Sequence, residues 1–94
     1  MNIEQYDKRQ VSLMKDMLWL YSSEKISLKQ LIDNLDGLLS CIGSIDIEWK
    51  EKFHEHWFVL EQVYAVSLFR NEVIDQNDLD IQESIEQLLK LLNE

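Results

Sequence analysis

Ninety-four residues, 46% of them hydrophobic and including three each of Trp, Tyr and Phe, suffice for one buried core and fall short of two, so one folded domain over 1–94 is expected. Eighteen acidic against nine basic residues give a formal charge of −9, unevenly divided: 1–71 hold eleven acids and eight bases (−3), 72–94 seven acids and one base (−6). A field of that sign repels phosphate backbones and anionic headgroups, which argues against direct nucleic-acid or membrane binding, and it attracts basic surfaces.

There is no Pro, only two Gly, and no apolar/polar alternation bounded by turn pairs, so the signals of a sheet are missing. Helical spacing predicts four helices, over 5–23, 28–42, 47–71 and 79–92. In the first, Val11, Met14, Leu18 and Tyr21 share a face, and Trp19 turns away from it among Ser12, Lys15 and Asp16. Ser27 caps the second, with Gln30 completing a capping box, and Leu28, Leu31, Ile32, Leu35, Leu38, Leu39 and Ile42 form its buried stripe. Gly37 inside that helix costs about 1 kcal/mol relative to Ala, and either admits a closely packed neighbour or serves nothing. Gly43 stands where a left-handed C-terminal cap belongs.

Asp46 is placed to cap the third helix, whose main stripe is Trp49, Phe53, Trp57, Leu60, Tyr64 and Leu68. Phe58, Ala65 and Phe69 lie nearly opposite, and from Trp57 to Phe69 only Glu61, Gln62 and Ser67 are polar. This half reads as a central helix covered all round, with Phe58 and Phe69 completing its packing; an interface helix is the alternative. Trp19 is then the one spare aromatic. Asn77 or Asp78 opens the fourth helix, which buries Ile81, Ile85, Leu88, Leu89 and Leu92 and shows Glu83, Glu86, Gln87 and Lys90. Short connections between long helices favour antiparallel neighbours, so the expected fold is all-α: a compact, antiparallel, up-and-down four-helix bundle.

Groups suited to catalysis are scarce. Glu51 and His54 make one Glu-x-x-His unit, where helical di-iron sites use two, and His54 and His56 point about 160° apart on a helix, which prevents them from sharing an ion. Asp75, Asn77 and Glu86 match calcium-loop positions, but Leu79 and Asp80 stand where a ligand and the required Gly belong. Cys41, within a leucine stripe and without an evident base, reads as a buried core thiol. No enzyme activity, cofactor or metal is expected. One cysteine precludes an intrachain disulfide, no leader-like segment opens the chain, and no apolar run nears the roughly 20 residues that span a bilayer, so a cytoplasmic protein is expected.

Two features exceed what a bare bundle needs. One is the acidic set Glu72, Asp75, Asp78, Asp80, Glu83 and Glu86, running from the end of the third helix along the fourth. The other is Trp19, an aromatic free to fill a partner's pocket. Both are expected to bind a basic protein; the alternative for the acids is a solvated, solubilising face with some favouring a helix N-terminus.

The run KISLKQLIDNLDGLLS, the series D-x-x-W-K-x-x-F-x-x-x-W-x-x-L-E-x-V-Y-A-V-x-L from Asp46 to Leu68, and an acidic stretch before a Leu-rich terminal helix together resemble small helical bacterial immunity proteins. These belong to polymorphic toxin systems, including contact-dependent growth inhibition, and the resemblance covers about residues 20–92. It implies a cytoplasmic protein that binds a cognate toxin C-terminal domain, often a nuclease such as an endoribonuclease of the U type. Binding would block the active site or substrate groove; the oligomeric state is open, a monomer in a 1:1 complex being one reading. Specific contact residues do not carry over, because such interfaces diverge with the toxin. Two other readings compete: a structural or regulatory subunit that self-associates through its third helix, and an inhibitor whose carboxylates mimic nucleic acid.

Overall fold

The computed structural model describes residues 5–43, 47–75 and 77–93, which form four helices: α1 (Gln5–Ser22), α2 (Leu28–Ser40), α3 (Ile47–Arg70) and α4 (Leu79–Leu92). Each helix packs on its neighbours in sequence and α4 closes on α1, whereas the backbones of the diagonal pairs α1–α3 and α2–α4 stay more than 8 Å apart between Cα atoms. That is the expected up-and-down bundle. Its antiparallel sense follows from side chains that cross between helices. Lys50 Nζ donates to the Ile42 carbonyl (2.8 Å) and Trp57 Nε1 to that of Ile32 (3.0 Å), so advancing along α3 means retreating along α2. Trp49 Nε1 donates to the Leu91 carbonyl (3.2 Å), which sets the start of α3 beside the end of α4.

The core is assembled from the faces that the spacing marks out. Val11, Met14, Leu18 and Tyr21 from α1 meet Leu28, Leu31, Ile32, Leu35 and Leu39 from α2, with Ile42 just beyond. Trp49, Phe53 and Leu60 from α3 meet Ile81, Ile85, Leu88, Leu91 and Leu92 from α4. The Ser27 hydroxyl accepts from the Gln30 amide (3.1 Å) while Gln30 Oε1 accepts from the Ser27 amide (2.9 Å), completing the capping box. Asp46 lies outside the described residues.

Several expectations are corrected. Gly43 takes no left-handed conformation; α2 instead tightens at its end, with Cys41 N bonding Leu38 O and Ile42 N bonding Leu39 O, so no special residue is required. Left-handed residues close α1 and α3, at Glu24 (φ 62) and Asn71 (φ 54). Each makes the paired bonds of a Schellman ending: Lys25 N to Leu20 O with Glu24 N to Tyr21 O, and Glu72 N to Ser67 O with Asn71 N to Leu68 O. Gly37 admits no close neighbour, since a Cβ built there meets nothing within 4 Å. Cys41 is exposed rather than buried, because it caps α2 one residue past the last helical turn.

The largest correction concerns α3. It is not central and covered all round: Leu68 is 63% exposed, Phe58 50% and Phe69 93%, and Ser67 rather than Leu68 turns inward, its Oγ donating to the Tyr64 carbonyl (2.7 Å). For Phe58 and Phe69 the reason is their face, opposite Phe53 and Leu60 and away from both neighbouring helices; for Leu68 it is length. At about 1.5 Å per residue α3 measures roughly 36 Å against about 20 Å for α2 and 21 Å for α4. With Ile32 level with Trp57 and Leu91 level with Trp49, both Leu28 (four residues back) and Leu79 (twelve back) fall near Glu61. Beyond that level α3 projects past both neighbours.

Phe53 is fully buried and stacks on Trp49 with ring centroids 5.4 Å apart, so Phe53→Ala should cost about 3–5 kcal/mol in urea unfolding. Gly37→Ala should move the other way, by up to about 1 kcal/mol, because the new methyl meets no neighbour and the unfolded chain loses freedom. A destabilised Gly37→Ala protein would show that the space beside α2 is occupied.

Candidate functional site

The projecting end of α3 and the chain that returns from it enclose a surface groove of about 640 Å³. The Asn71 Schellman turn reverses the backbone, and residues 72–75 run back along the helix they have just left. Val59, Val63 and Val66 from α3 and Val73 and Ile74 from the returning strand of chain form apolar walls, with Gln62, Ser67 and Arg70 beside them. Glu72, Asp75, Asp78 and Asp80 supply four carboxylates against the single guanidinium of Arg70. Val73 is 98% exposed at the lip.

The structure thus brings together four of the six predicted acids. Two are also tied into the local backbone: Asp75 Oδ1 accepts from Asn77 N (2.9 Å), and Asp78 Oδ1 accepts from Asp80 N (2.9 Å) and Ile81 N (3.3 Å) as the N-cap of α4. Glu83 and Glu86 lie outside the groove on the exposed side of α4, and Glu86 is 3.6 Å from Lys90. Trp19 faces solvent, 64% exposed, but on α1, diagonal to α3, and it does not line the groove.

Sequence reasoning missed the valine walls and Arg70. Val59, Val63 and Val66 fall on the flank of α3 between its buried and exposed faces, so neither stripe contains them. The unequal predicted lengths of the helices were the available signal.

The acids also act on the bundle. Burial is the main cause that raises the Tyr21 pKa above its ordinary value, and the nearby charges of Asp78 and Asp75 add to it, which places the acidic loop across the end of α1. His54 leans on the Trp57 ring with centroids 5.0 Å apart. Among the described residues no three His, Cys, Asp or Glu side chains converge as a metal site would require, and no helix is long and apolar enough to cross a membrane. Comparison with family models, with curated proteins and with solved structures finds no match.

A tyrosine whose pKa is higher folded than unfolded holds its proton more tightly in the native state. Its contribution to stability is full below about pH 10 and is lost as pH rises from there through the folded value. Denaturation midpoints measured across that range should fall for the native sequence and fall less steeply for Tyr21→Phe; parallel curves would contradict the assignment.

Proposed function

We propose that this chain is an immunity protein that binds and neutralises a toxin domain, most fittingly a nuclease, by seating the acidic groove on the toxin's basic substrate cleft. The observation that carries this reading is the groove itself: apolar walls, an exposed apolar lip and four carboxylates from the loop and the start of α4, gathered beside the end of α3. Apolar anchors supply affinity where they fill a partner's pockets, while the surrounding charges steer encounter and fix register. A nuclease cleft is basic because it holds phosphates, so it offers the complementary charge. Catalysis has no place in this reading; inhibition follows from occupying the cleft.

Cells expressing this chain should survive induction of its cognate nuclease domain, and the two proteins should co-elute from a sizing column at low salt. Loss of both protection and co-elution would sink the proposal. Within a complex, Glu72→Lys with Asp80→Lys should slow association about tenfold at low salt, and the difference should shrink as salt screens the charges. Glu83→Lys with Glu86→Lys, outside the groove, should have a much smaller effect. Asp78 is left intact in this test because removing the cap would itself cost about 1 kcal/mol.

A further inference from the structure

We propose that the groove admits an extended segment of about five residues protruding from the partner, with aliphatic and basic side chains in alternation. This rests on the reading of the groove as the toxin-binding site and specifies what enters it. Two concave surfaces touch only along their rims. A groove set on a cleft is therefore filled only where a strip of the cleft's edge stands out and drops into it.

Size selects the form of the segment. Val59, Val63, Val66 and Arg70 follow one another along α3 over eleven residues, 70 − 59, which sets a length of about 16 Å. A helix about 10–12 Å across would fill about 1,300–1,900 Å³ over that length, whereas an extended chain, about 4.8 by 10 Å in section, fills about 800 Å³. The groove holds about 640 Å³, so the extended form fits with its outer edge in solvent, and the helix does not. At about 3.3 Å per residue, that length is about five residues.

Charge and polarity select the side chains. The α3 wall is lined with valine, and all four carboxylates come from the opposite wall, on the returning chain and the start of α4. Successive side chains of an extended chain point opposite ways, so a segment between these walls sends one set to the valines and the other to the acids. Arg70 offsets one of the four carboxylates and leaves a net of −3, so the second set is Lys or Arg. The backbone is accommodated as well. No backbone hydrogen bond to another described residue involves Val73 or Ile74, so their amides and carbonyls are open to those of an extended segment. Ile74 is packed against the core and holds its wall in place before binding, which lessens the cost of ordering.

The probe is acetyl-Lys-Val-Lys-Val-Lys-amide, titrated into the full chain and followed by methyl and amide NMR shifts. Short free peptides bind weakly, so half-saturation is expected at about 0.1–1 mM, with the largest shifts at Val59, Val63, Val66 and Ile74. Acetyl-Lys-Lys-Lys-Val-Val-amide has the same composition and charge without the alternation and should bind at least about fivefold more weakly. The alternating peptide should lose at least about as much on Glu72→Lys with Asp80→Lys, or on Val66→Gln, a position 46% exposed and so tolerant of the change. Shifts centred on another face, equal binding of the two peptides, or tighter binding of a helix-forming peptide of the same residues overturns the proposal. So do groove shifts that follow protein concentration alone, which would mean that a second copy fills it. A chain that takes the peptide yet gives cells no protection keeps the segment and discards the toxin; protection without peptide in the groove does the reverse.

Discussion

The axial position of α3 governs the rest of the molecule. Two indole N–H groups fix it, Trp49 against the last turn of α4 and Trp57 against Ile32 in the second turn of α2, with the Trp49–Phe53 stack filling the space between. Buried indoles bring large apolar area and one donor that must be satisfied, so they hold a helix along its axis as well as against its neighbour. Once α3 is held at that level, its final turns extend past the ends of α2 and α4, and the exposure of Leu68, the groove and the course of the acidic loop follow.

The acidic loop shows how one set of carboxylates serves local structure and a surface field together. Asp78 accepts from the first amides of α4 and Asp75 closes a turn on Asn77, so each satisfies backbone donors that would otherwise be left open. The carboxylates of Glu72 and Asp80 line the groove with the others. Among the described residues no buried polar side chain lacks a hydrogen-bond partner. The groove acids thus sit at the surface and at helix ends, where carboxylates are stabilised; the buried polar side chains are Asp7, Ser67 and Ser84 among the described residues.

How much of this was legible depends on which physical quantity the residues encode. Periodicity reports faces, and α2 was read nearly residue by residue, as was the Ser27–Gln30 capping box; in α4 the face was right at Ile81, Ile85, Leu88 and Leu92, but Ser84 and Leu91 also turn inward and Leu89 is only partly buried. Periodicity is silent about where a neighbouring helix stops. Leu68 satisfies the helical pattern as well as Leu60 does, but only Leu60 has α2 and α4 beside it; Phe69 lies on the opposite face, which no helix covers. Cys41 failed for a related reason, since the leucine stripe continues past it while the helix ends. The acidic set was legible as composition, and four of its six members converge; Glu83 and Glu86 share the charge without sharing the place. Glu24 and Asn71 were not readable as helix closures, because a left-handed backbone is unusual for Glu and only moderately favoured for Asn.

The projecting turns of α3 are continuous with turns that are locked into the core. Their backbone is ordered when the bundle folds, and the side chains they present need lose only rotamer freedom on meeting another surface. A disordered arm carrying the same residues would surrender backbone entropy of about 1–2 kcal/mol per residue at the moment of contact. By extending a core helix rather than appending a tail, the chain moves that entropy loss from association to folding, where the rest of the bundle offsets it.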